Sequence, residues 1–223
     1  MLDRRAEMER DGTWASHRDI RGNEEPGNDA TGAWMEAAAS DFRTQVFEEN
    51  ADFSGFHFPG SARFYEASFQ QDARFDSAMF SGSAGFYSAA FSGGARFDGA
   101  RFNSVSFKSA TFGAVARFAS ATFSGYARFT DATVSTIALF DGAKFSGNAA
   151  FDSVKLGLLT SFNGVIFNQD ARFVSAAFRG DVWFDNAKFS GSASLHDATF
   201  SGYAGFTQAR FEGYTSFAAA TFD

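Results

Sequence analysis

The chain of 223 residues contains no cysteine, two prolines and three histidines. Without a thiol it can build neither a disulfide framework nor a thiolate metal site. No stretch approaches the roughly 18 consecutive apolar residues of a bilayer-spanning helix. The opening residues, Met1 to Glu7, are charged where a secretory signal would be apolar, so a cytoplasmic chain without membrane attachment is expected. His17, His57 and His196 are too scattered for a metal-ligand spacing. Ser194, His196 and Asp197 have the letters of a triad, but neighbours on one extended segment do not converge on a reacting atom. Gly93-Gly94 precedes no helical pattern and so makes no phosphate loop. No catalytic, cofactor-binding or metal-ligating residue is assigned, and the expectation is a protein that is not an enzyme.

Against these absences stand 32 phenylalanines and 22 glycines. From Phe42 to Phe222 the phenylalanines fall at steps alternating between five and six residues, an eleven-residue unit. Val134, Leu156 and Leu195 fill the missing beats, and Phe56 alone falls outside the pattern. Alanine dominates the position two residues before each beat, and residues two apart point to the same side of an extended chain. Polar residues fill the rest of the unit. A helical period of 3.6 fits neither step. One step is irregular: Phe102 to Phe107 spans five residues where six are due, which reads as a neutral deletion at a surface loop.

Ala95-Arg96-Phe97-Asp98-Gly99, Ala121-Thr122-Phe123-Ser124-Gly125, Ala143-Lys144-Phe145-Ser146-Gly147 and Ala198-Thr199-Phe200-Ser201-Gly202 resemble the units of pentapeptide-repeat proteins. The resemblance runs from about residue 40 to 222. It implies an all-β fold, a right-handed quadrilateral β-helix, here of about eight coils with bulges at the two corners that hold a sixth residue. With strands ~4.8 Å apart, the rod should be about 40 Å long. Phe64, Phe86, Phe97, Phe118, Phe129, Phe140, Phe151, Phe173, Phe184 and Phe206 are then structural core, stacked in ladders inside the coil. Residues 1–32 form a charged segment outside the repeat, 33–41 are expected to cap the first coil, and 42–223 are the β-helix.

The family's best-known members bind DNA gyrase and protect it from inhibitors by imitating duplex DNA, which implies a second reading: a topoisomerase-directed DNA mimic. Such a mimic needs dense negative charge along the rod. The net charge of −7 divides unevenly: residues 1–41 hold ten acids and five arginines, whereas 42–223 hold sixteen acids against fourteen bases. Arg63, Arg74, Arg96, Arg117, Arg128 and Arg172 interleave with Asp76, Asp98, Asp141, Asp152 and Asp185. A mixed surface of this kind suits neither a DNA mimic nor direct nucleic-acid binding, which wants a basic stripe.

The favoured reading is a non-catalytic module that presents a rigid surface to a protein partner. Compared coil by coil, one six-residue corner is apolar, with Val115, Ile137, Leu139, Leu158, Leu159, Trp183 and Tyr203. These side chains either lie back over the corner or form an interface. The other six-residue corner, with Tyr126 and Arg128, Asn148, Asp170 and Arg172, is mostly polar. The sequence stops in phase, leaving Phe211, Phe217 and Phe222 as a bare stacking end that a second copy, another partner or further residues of a longer chain would cover; of these a homodimer is expected.

Overall fold

A computed structural model describes residues 39–223. The charged segment 1–32 and most of the stretch 33–41 lie outside the described residues. Ser40–Asp41, within the expected cap, is instead a strand of the first coil, paired with Ala62–Arg63 one coil on.

All regular structure among the described residues is β. One coil shows the plan: Ala149–Ala150, Lys155–Leu156, Leu159–Ser161 and Ile166–Phe167 are four short strands separated by corners. Each pairs in parallel with the strand 22 residues later, Ala171–Arg172, Ala177–Phe178, Asp181–Trp183 and Lys188–Phe189. The strands are this short because a corner interrupts every fifth or sixth residue. About eight such coils stack into a four-sided β-solenoid. We number its sides by the ring each carries inward: face 1 through Phe42 and Phe151, face 2 through Phe47 and Phe178, face 3 through Phe53 and Phe162, face 4 through Phe58 and Phe167.

Within each face the rings stack in parallel from coil to coil. Phe129, Phe151 and Phe173 are separated by 4.8 and 4.9 Å, and Phe140, Phe162 and Phe184 by 4.8 and 4.9 Å. The ladders of faces 1 and 3 also interdigitate across the axis. Phe151 stands edge-on to Phe140 at 5.5 Å and 89° and to Phe162 at 5.5 Å and 86°. Both arrangements are the ones the aromatic quadrupole favours. The alanines two residues earlier, such as Ala149 and Ala171, also face inward and are buried, leaving room for the rings. Phe56 takes one of these small inward positions near the first coil, where it is buried against Phe53 and Phe58.

The two kinds of corner are built differently. At the five-residue corners that follow faces 1 and 3, the second residue after the ring has φ between 52 and 66°. Phe151 to Val154 is an example: Ser153 has φ 55°, and the Val154 amide donates to the Phe151 carbonyl at 3.3 Å. A positive φ at the third position with this hydrogen bond is the type II turn signature. Thirteen of these positions are held by residues other than glycine, and four by glycine. Most glycines serve the six-residue corners, where successive coils nearly touch. A Cβ on Gly180 would sit 2.0 Å from the Leu158 carbonyl oxygen.

The irregular step is not a loop. Met79–Gly85 and Arg101–Ser106 run as unbroken strands across the corner from face 4 to face 1, and the register between them shifts after Phe102. The missing residue is therefore absorbed inside a strand, and the ladders stay in phase, with Phe86 to Phe107 at 4.8 Å and Phe107 to Phe129 at 5.1 Å.

Candidate interaction surfaces

The exterior is organised by columns that repeat every coil. The residue before a ring and the residue after it both point outward, and the second of one coil reaches the first of the next. Arg96 Nε meets Asp76 at 3.2 Å, Arg117 Nε meets Asp98 at 2.8 Å, and Arg172 Nε meets Asp152 at 3.2 Å. These partly exposed pairs contribute little individually, ~0–1 kcal/mol each. Their consequence is electrostatic: Asp76, Asp98 and Asp152 are each matched by an arginine one coil away.

Aspartates and asparagines at the corners also bind backbone. The amides of Gly94, Ala119, Val174, Ser192, Tyr203 and Thr207 donate to Asp72, Asp98, Asp152, Asp170, Asp181 and Asp185 of the coil before. A hydrogen bond to a charged acceptor is worth roughly 1.5–3 kcal/mol when shielded and less at an exposed corner. These carboxylates are fastened to the scaffold in ordered succession, coil to coil. Among the histidines, His57 Nε2 lies 2.8 Å from Ser81 Oγ and His196 Nε2 lies 3.1 Å from Asp197, while His17 is outside the described residues. No group of three or more His, Asp or Glu among the described residues is placed to hold a metal ion.

The seven apolar residues of the corner between faces 2 and 3 come to one side. Ile137 and Leu159 are direct neighbours in adjacent coils, and Val115 precedes Ala116, which pairs with Ala138 of the next. Leu139 lies in the parallel column, separated from Trp183 by Ser161. Trp183 and Tyr203 approach at 6.3 Å between ring centroids. Leu158 is 71 % exposed and Tyr203 58 % exposed; the other five are half-buried. Asp181, next in line after Leu159, interrupts the patch. At the last coil Phe206, Phe211 and Phe217 are only partly buried and Phe222 is exposed.

A family model described as pentapeptide repeats (9 copies) matches residues 86–133 and 173–221. The coils of the structure carry the same slot pattern through both stretches and between them. The chain carries pentapeptide repeats. The segment of this pentapeptide-repeat chain between the two matches is where Val134 and Leu156 replace rings and where Ile137, Leu139, Leu158 and Leu159 stand outward. Four of the seven residues of the apolar patch thus lie in the unmatched segment, and Val115, Trp183 and Tyr203 lie within the matched ones. No curated protein matches the chain. Among the described residues no helix is long and apolar enough to cross a membrane.

A second surface was not visible in the spacing of the rings. On face 1, a groove of about 570 Å³ is lined by Tyr65, Tyr87, Lys108, Tyr126 and Arg128 over a floor of small residues. Ser83 and Ser104 are paired across the two long strands, as are Gly85 and Ser106, and Ser106 pairs with Arg128 of the next coil. The Tyr65 ring lies against Gly85, where a Cβ would be 1.9 Å from a ring carbon. Lys108 Nζ sits 5.8 Å from the Tyr87 ring centroid. The groove lies beside the shortened corner at Asn103. Its signal in the sequence is the column after each ring of face 1: Arg43, Tyr65, Tyr87, Lys108, Thr130, Asp152. That column aligns only once the one-residue deletion is allowed for.

Proposed function

We propose that this pentapeptide-repeat chain is a non-catalytic interaction module that self-associates through its last coil and offers the patch between faces 2 and 3 to a protein partner. The observation that carries the reading is the apolar corner between faces 2 and 3, where Leu158 is 71 % and Tyr203 58 % exposed. The ring ladders buried through the rest of the rod surface at Phe206, Phe211, Phe217 and Phe222. A second copy stacked there would bury these rings and pair the final strands, removing an exposed sheet edge. Trp183 and Tyr203 are of the residue types that anchor protein interfaces, and Leu158 adds exposed apolar area beside them. The fastening of corner carboxylates to backbone amides supports a scaffold role over an acid–base one.

Light scattering at high micromolar concentration tests it: a dimer is expected, reduced to monomer by Phe222→Asp with the circular dichroism spectrum unchanged. A monomeric native chain at that concentration refutes self-association. Ile137→Asp with Trp183→Asp is expected to leave the fold intact and abolish partner capture; an unfolded double variant would mean that these residues only cover the corner. The DNA-mimic reading draws no support from the arginine–aspartate pairs along the rod. A gyrase supercoiling and inhibitor-protection assay is expected to show no effect.

A further inference from the structure

The groove on face 1 breaks the charge pattern of the rod. Arg96, Arg117 and Arg172 each place Nε on an aspartate one coil below. Arg128 occupies the same position relative to its ring, yet the column below it holds Lys108. Its Nε is buried and has no hydrogen-bond partner. Two cations therefore stand at the positions where Arg96, Arg117 and Arg172 each meet an aspartate. A buried donor left unmade costs about 1–3 kcal/mol, so this coil carries an unmet demand for an acid.

The surroundings specify what kind of acid. Tyr65, Tyr87 and Tyr126 are each more than a third exposed and flank a floor reduced to Gly85 and Ser106. Tyrosine, serine and glycine around an arginine are the composition of protein-recognising paratopes, in which tyrosine gives large contact area at low entropic cost. The groove crosses about three coils, or roughly 10–15 Å, which a few residues of extended peptide would fill. A nucleic-acid strand places a phosphate at every nucleotide and draws on a run of cations, whereas this groove offers two in a chain of net charge −7.

We propose that the groove binds an extended acidic segment of a protein partner. Its carboxylate takes the place at Arg128 that Asp76, Asp98 and Asp152 fill in other coils, and its neighbouring side chains pack on the tyrosines. This rests on the reading of the chain as a protein-interaction module, but not on its self-association.

The test is fluorescence anisotropy on the full chain with a peptide of four Glu-Tyr repeats carrying a neutral dye. Parallel titrations use four Lys-Tyr repeats and a single-stranded oligothymidine. The acidic peptide should bind saturably and weaken as salt rises, while the basic peptide and the oligothymidine should not bind. Lys108→Asp is the decisive variant, because it supplies Arg128 with the kind of internal partner that Arg96, Arg117 and Arg172 have. It should keep or raise the melting temperature while weakening peptide binding at least about tenfold. Tyr87→Ala with Tyr126→Ala should weaken binding with both cations retained, which charge attraction alone would not produce. Absence of acidic-peptide binding, binding unchanged in Lys108→Asp, or equal binding of oligothymidine would each overturn the proposal. Phe222→Asp should bind the peptide as the native chain does, so a failure of self-association and a failure of the groove are read separately.

Discussion

Phe200 and Phe222 are successive rungs of one ladder, their rings parallel and 4.6 Å apart. The first is fully buried and the second is 58 % exposed. Nothing in their local sequence distinguishes them: Ala198-Thr199-Phe200 and Ala220-Thr221-Phe222 are the same triplet. The difference is the coil that lies above Phe200. In a solenoid a residue's environment belongs to the contact between repeats and not to the repeat itself, so stability divides into units and junctions. Phe42, Phe47 and Phe53 at the other end are buried, which makes the two ends unlike.

The largest test of this contrast removes a ring from each place. Phe151→Ala, at a site with rings stacked on both sides and edge-on across the axis, should cost about 3–5 kcal/mol by urea denaturation. Phe222→Ala should cost about 1 kcal/mol or less in dilute monomer, and more as concentration rises if a second copy covers it. Equal costs at both sites and all concentrations would break the comparison. Next in size is a test at the corners. Gly180→Ala drives a Cβ into the Leu158 carbonyl and should cost about 1–3 kcal/mol in chemical denaturation. Gly164→Ala meets nothing within 4 Å and opposes only a φ of 62°, so about 1 kcal/mol is expected.

The smallest effect concerns Asp41 in the first coil. The Arg43 side chain donates to its carboxylate and holds its pKa below the ordinary value of 3.8. A carboxylate lowered in the folded state stabilises fully above its unfolded pKa and loses that contribution as pH falls through the folded one. Thermal melts of Asp41→Asn should therefore approach those of the native chain only below about pH 3.8, with a slight native advantage at neutral pH.

The ladders were legible because their signal is one-dimensional. A ring every five or six residues with alanine two before it gives the faces, the inward positions and the coil length without knowledge of any contact. What the spacing could not give depends on residues 22 apart. Gly180 looks like any corner glycine until Leu158 lies beneath it, and Asp152 looks merely solvated until Arg172 and Val174 arrive above it. The apolar patch was readable as a set, because its residues interrupt a polar exterior. Its break at Asp181 appears only when the columns are aligned. The tyrosine groove was missed for a sharper reason. Its lining lies on both sides of the shortened step, so a fixed period puts Tyr87 and Lys108 in different columns.

That shortened step also says what lengths this architecture can adopt. At a six-residue corner one residue can be lost, as between Phe102 and Phe107, because a strand runs straight through and each ring still lands on its rung. A five-residue corner has no such slack, since losing a residue there would remove the left-handed turn that redirects the chain. Single-residue length changes are thus confined to two edges of the prism, and growth or shrinkage elsewhere proceeds by whole coils. In the descent of such a chain, duplication of a 22-residue block is a neutral step in register, whereas most smaller insertions would put the rings out of line.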